Sequence, residues 1–179
     1  VLNMKYIPIT VPNFSQNGCQ TELVIAIDKS GSISKGFSDI IKETIKQIVE
    51  SVSQKGPFRI TLWAFDTSVN YESIRQIDSR NIDTIDEKLD NVLSFLGGGS
   101  SYDESFYMVK ALALKPDAVI LITDGFMDEP KNETLNIINS FENHVIKLQE
   151  ENGYNAPIPF KACLHPLVYT DWFSKKSIY

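Results

Sequence analysis

Apolar and polar positions fall in blocks along this chain, and the blocks change period. TELVIAI (21–27) is a near-continuous apolar run, the pattern of a parallel strand covered on both faces. From Ser34 to Val52 the apolar residues recur at 37, 40, 41, 45, 48, 49 and 52, a helical stripe that Gly56-Pro57 ends. FRITLWAF (58–65) and SVNYESIRQI (68–77) predict two strands joined at Asp66-Thr67, a hairpin. A helix is expected over about 82–95 and another from about 104 to 114. Pro116 separates the latter from AVILIT (118–123), the most apolar strand candidate. Residues 132–150 predict one amphipathic helix with Leu135, Ile138, Phe141, Val145 and Leu148 on a common face. IPFKACL (158–164) is the last expected strand, and a short helix is expected to close the chain.

Strands alternating with helices of this length predict an α/β fold: a three-layer sandwich with a mostly parallel central sheet, an antiparallel edge strand and helices on both faces. Residues 1–21, punctuated by Pro8, Pro12 and Gly18, form a lead-in segment, and 22–179 form the domain. At 179 residues the chain suits a single core that buries roughly two-thirds of the unfolded surface. No apolar run approaches the roughly 18 residues of a membrane span. A net charge of −6 argues against a nucleic-acid backbone or an anionic membrane as the main partner. Two cysteines, Cys19 and Cys163, allow one bridge at most, and both are expected to be reduced. With no secretory leader at its start, the chain is expected to be intracellular.

Polar chemistry gathers in three loops. DKSGSIS (28–34) follows the first strand, LGGGSSYDES (96–105) precedes the third helix, and TDG (123–125) follows AVILI. In an open parallel sheet, ligands bind beyond the carboxyl ends of the strands. If the strands ending in Asp28 and Asp124 are neighbours, their carboxylates lie about one strand spacing apart and repel unless a cation or a proton sits between them. Ser30, Ser32 and either Ser100 or Ser101 add hydroxyls. All of these are hard oxygen donors, so Mg2+, Mn2+ or Ca2+ suits them better than zinc or copper.

Asp28-x-Ser30-x-Ser32 after a first apolar strand, Gly99-Ser100, and Thr123-Asp124-Gly125 after a later one together resemble the von Willebrand factor A domain. They match its metal-ion-dependent adhesion site, over about residues 21–164. Asp28, Ser30, Ser32, Ser100 and Asp124 take the ligand positions, with Ser100 standing where the family usually has Thr. GGGSSYDE and TDGFMDEP further resemble intracellular A-like domains of bacteria and phages. The resemblance implies a non-catalytic, Mg2+-dependent protein-binding module whose metal accepts an Asp or Glu from a partner protein. It also implies an AAA-type ATPase, or another domain of a longer chain, as a partner. Phe126, Met127 and Tyr102 are the expected exposed apolar residues around the site.

Two other functions fit parts of the pattern. A Mg2+-dependent phosphotransferase or phosphohydrolase would use Asp28 as nucleophile, but position 30 is serine rather than a second acid. A metal-independent scaffold would keep only the fold. Elsewhere the simplest readings are structural. Asp66 makes a turn, Ser34 caps a helix, and Asp103 and Glu104 favour a helix start. Trp63 lies in a strand core, Trp172, near the end, is expected to pack on the sheet or on another domain, and Glu142, Glu150 and Glu151 line a solvated helix face. His144 on that helix and His165 before a proline carry no special role.

Overall fold

A computed structural model of the protein describes residues 20–33, 35–95, 97–150 and 156–169. The first strand, β1 (Thr21–Asp28), leads through the DKSGSIS loop into helix α1 (Phe37–Ser53) and then β2 (Phe58–Phe65). A short 3-10 turn precedes β3 (Arg75–Asp78), and a second leads into α2 (Ile85–Leu93). Then come α3 (Tyr102–Ala111), β4 (Ala118–Thr123), α4 (Asn132–Ile138), β5 (Glu142–Glu150) and β6 (Cys163–Tyr169). The strands form one sheet in the order β3-β2-β1-β4-β5-β6. Among the described strand pairs only β2–β3 is antiparallel, which puts the odd strand at an edge.

Alternation along the strands supplies two cores. Leu23, Ile25 and Ile27 of β1 join Ile60 and Leu62 beneath α1 and α2, which contribute Ile41, Ile45, Ile48, Leu89 and Val92. Val24 and Ala26 face the other way, with Trp63, Val119, Leu121 and Val145 beneath Phe106 and Val109 of α3 and Ile138 of α4. Each fully buried Ile or Leu stabilises the fold by about 1.5–3 kcal/mol. Trp63 keeps its indole satisfied by donating to Ser105 Oγ at 3.2 Å. The three-layer α/β sandwich expected from the pattern is the observed architecture. Among the described residues no helix is long and apolar enough to cross a membrane.

Three expectations need correction. The helix expected over 132–150 ends at Ile138, and residues 142–150 are strand β5. Asn143 closes the helix by donating from Nδ2 to the carbonyls of Ile138 (2.7 Å) and Phe141 (3.0 Å). Beyond it, β-branched Val145 and Ile146 split between the two cores, so the segment is covered on both faces, as an interior strand must be. Apolar residues at 135, 138, 141, 145 and 148 fit a helical stripe, and pairing with β4 overrides it. His144 and Glu142 therefore belong to a strand, and His144 is buried.

The last strand starts at Cys163, not near 158, because Pro157 and Pro159 lack the amide hydrogens a ladder needs. Phe160 instead packs edge-on against Tyr102 and Phe106, with ring centroids 5.4 and 5.7 Å away. The hairpin after β2 is looser than expected. Val69 makes an isolated bridge to Phe65, and the regular strand starts only at Arg75. Cys163 is unbridged and exposed. The lead-in, Cys19, Ser34, Glu151, Trp172 and the closing helix lie outside the described residues.

Candidate functional site

The sheet reverses its winding between β1 and β4, the place where open α/β sheets leave a crevice beyond the strand ends. Ile27 pairs with Ile122, so Asp28 lies across from Thr123 and the two acid-bearing strand ends are neighbours. Thr123 joins them: its Oγ1 donates to Asp28 Oδ2 at 2.7 Å and accepts from the Gly125 amide at 3.0 Å. Asp28 Oδ1 accepts from the Ser30 amide at 2.8 Å, which folds the loop back over the strand end. That turn brings Ser30 Oγ to 3.1 Å from Ser32 Oγ.

Asp28 is fully buried and Ser30 nearly so, whereas Ser32 is exposed. Burial pushes the Asp28 carboxyl up to about 6. The Ser30 amide and the Thr123 and Ser30 hydroxyl groups pull it back, and Asp124 pushes it further up. Asp124 is half-buried, and its Oδ1 accepts from the Phe126 amide at 3.0 Å. Gly125 turns the chain at φ +87°, a conformation that L side chains rarely adopt.

The glycine loop is tied to both of these segments. Gly31 donates to the Gly98 carbonyl at 2.8 Å, and Gly97 donates to the Lys29 carbonyl at 3.0 Å. Ser100 Oγ donates to the Phe126 carbonyl at 2.8 Å, which places it against the TDG loop. Ser101 instead starts α3, with its amide on the Asp66 carbonyl at 2.9 Å. The Ser100 hydroxyl thus faces the segment that carries Asp124. All five expected residues therefore belong to three loops that are hydrogen-bonded to one another.

Four side chains around this crevice were not singled out as site residues by the sequence. Thr123 is the buried pin between the acids. Asp66 holds the glycine loop, accepting from the Gly98 amide at 3.1 Å and from the Ser68 amide at 3.0 Å. Tyr102, expected to be exposed, is 1% exposed, and its buried hydroxyl has no hydrogen-bond partner among the described residues. Burial, then the charges of Asp28 and Asp124, hold that phenol well above its ordinary range. Lys147 lies across from Thr123 on β5, is buried, and donates from Nζ to the Ala156 carbonyl. Burial lowers its pKa and Asp124 raises it. A lysine inside the apolar run VIKL was the one available sequence signal for this group.

The donor set suits a hard divalent cation. Two carboxylates and three hydroxyls lie on these three bonded loops with no imidazole or thiol among them, and the buried acid is held in a medium that disfavours its own charge. The buried Tyr102 hydroxyl, without a hydrogen-bond partner among the described residues, feels the charge of both acids. Beside Ser100 runs an open groove of about 660 Å³, lined by buried Gly125 and Ala156, exposed Phe126 and half-buried Met127, with exposed Asp128 and Glu129 also along it.

Comparisons with known proteins agree with this architecture. Three solved structures share the fold. An aerotolerance-related membrane protein from Bacteroides fragilis, carrying multiple mutations to serine, superposes with a TM-score of 0.58 at 18% identity, over 79% of this chain and 73% of that one. A von Willebrand factor type A protein from Catenulispora acidiphila gives 0.53 at 18% identity, over 72% and 33%. Proximal thread matrix protein 1 from the mussel byssus gives 0.58 at 16% identity, over 87% and 42%. The chain thus spans less than half the length of the last two. No curated protein matches the sequence. The model of the von Willebrand factor type A domain matches residues 21–149. This chain belongs to the von Willebrand factor type A domain family.

Proposed function

We propose that this domain binds a protein partner through a Mg2+ ion held by Asp28, Ser30, Ser32, Ser100 and Asp124. Domains of this family typically mediate protein interactions. The observation that carries the metal-dependent reading is the buried Asp28, joined by Thr123 to the strand end that bears a second carboxylate. When bound, the ion would supply a double positive charge with room for one outside carboxylate; Mn2+ or Ca2+ satisfies the same oxygen donors. This chain's residues do the rest. Ser30, Ser32 and Ser100 present hydroxyls, the Phe126 amide orients Asp124, and the groove beside Ser100 receives the partner's flanking residues.

The partner segment would carry an Asp or Glu next to an apolar side chain that fits between Phe126 and Met127. Asp128 and Glu129 along the groove favour a basic residue beyond it. A phosphoryl-transfer role for Asp28 lacks the second acid that such chemistry usually places two residues on, where this chain has Ser30.

Titration with Mg2+ and Mn2+, read by calorimetry and thermal melting, tests the proposal. Wild type should bind saturably and gain about 2.7 kcal/mol of stability at a hundredfold excess over Kd. The Asp28→Ala/Asp124→Ala chain should gain nothing. Capture of a carboxylate-bearing partner should be abolished by a chelator and weakened by Phe126→Ser. Partner binding that survives both chelation and the double substitution would refute the metal-dependent reading.

A further inference from the structure

Away from this crevice, the edge of the sheet carries a cluster that its chemistry leaves unused. β5 and β6 run parallel with His144 paired to Cys163, and His165 lies two residues beyond Cys163. Residues two apart on a strand share a face, so the three side chains rise from the same side of the sheet. One donor atom from each lies within 4.8 Å of the other two. His144 Nδ1 is 3.0 Å from His165 Nε2, with the rings nearly parallel, 12° apart in plane and 5.3 Å between centroids.

The second nitrogen of His144 has a carboxylate partner. Nε2 lies 2.7 Å from Glu142 Oε1, and an ionised carboxylate only accepts, so Nε2 carries the proton. With Nε2 engaged by Glu142, Nδ1 is the His144 nitrogen that faces His165. A ligand histidine whose far nitrogen donates to a carboxylate is the usual supporting arrangement at protein zinc centres. Two imidazole nitrogens and a thiolate are borderline-soft donors, the opposite of the all-oxygen set around Asp28.

We propose that His144, His165 and Cys163 form a second metal centre that takes Zn2+, with Glu142 orienting His144. His144 is nearly fully buried while Cys163 is exposed, so the centre opens to solvent on the thiol side and keeps a fourth position for water or an outside ligand. It joins β6 to β5 by coordination. Pro166 gives β6 one ladder donor fewer, so the edge strand gains most from such a tie. The inference stands independently of the Mg2+ proposal, because the two sites share no residue.

The test uses the untagged chain carrying Asp28→Ala and Asp124→Ala, dialysed against Zn2+ alone and assayed for retained metal. One equivalent of zinc should remain. Substituting Co2+ should give a thiolate-to-cobalt band in the near ultraviolet that Cys163→Ser abolishes. Glu142→Gln should weaken zinc binding by roughly ten- to a hundredfold. Cys163 and Glu142 are both exposed, so these variants spare the core, and circular dichroism checks that they fold. Failure to retain zinc, or equal retention by Cys163→Ser and His165→Asn chains, would overturn the proposal.

Discussion

Asp28 concentrates the electrostatic cost of the crevice in one side chain. Its carboxyl titrates at about 6 in the folded chain against 3.8 for an ordinary aspartate, so the folded state holds the proton more tightly than the unfolded one. Its contribution to stability is therefore greatest below pH 4, falls as pH rises from about 4 to about 6, and is constant above. The full penalty is on the order of 3 kcal/mol. Asp28→Asn should raise the melting temperature of the metal-free protein at pH 7.5 by roughly 5 °C or more, with the advantage gone at pH 4. Melts at the two pH values check this, and equal melting points at pH 7.5 would show that the ionised carboxylate is held without cost. The acid itself was legible in the sequence because DxSxS and TDG are local patterns. Thr123 as the pin and Tyr102 as a buried hydroxyl were not, since their roles depend on strand register and on which way α3 turns its face. Tyr102 reads as an exposed loop aromatic until Phe160 is seen packed against it.

Between residue and fold, the glycine loop shows how closely one element constrains another. A Cβ on Gly97 would lie 2.4 Å from Asp66 Cβ, an atom at the root of its side chain that has no freedom to swing aside. Gly97→Ala should therefore displace the loop or Asp66, at a cost of roughly 1–3 kcal/mol. Because Asp66 also holds the Gly98 amide, the same change should weaken Mg2+ binding. Denaturant melts and calorimetry on this variant check both outcomes, and unchanged metal affinity would show that loop position does not set the site. The elements that build the crevice were the most legible in the chain. TELVIAI and AVILIT are apolar on both faces, a pattern that leaves little choice but an interior strand. The α4–β5 region was not legible, because 135, 138, 141, 145 and 148 satisfy a helical spacing. What settles it is the parallel pairing from Ala118↔Glu142 to Thr123↔Lys147, an interaction with a segment distant in sequence. That error also hid the histidine pair, since His144 and His165 meet only once both segments are strands.

For the molecule as a whole, the strand order divides the sheet into two halves of unlike assembly. β1, β2 and β3 come from one contiguous stretch of sequence, whereas Thr123 and Asp28, bonded across the centre, are 95 residues apart. Closing so long a loop precedes any reward from the contact, so the β1–β4 seam is expected to form late in folding. The acids meet only there. A cation that needs both carboxylates then has nothing to bind in the folding transition state, and Mg2+ should slow unfolding while leaving the folding rate unchanged. Stopped-flow folding and unfolding with and without Mg2+ would show this, and a faster folding limb would place the seam in the nucleus instead. The same order governs synthesis. A nascent chain exposes Asp28 well before Asp124 leaves the ribosome, so the newly made domain becomes competent for the proposed Mg2+, and for any partner recruited through it, only after β4 has emerged.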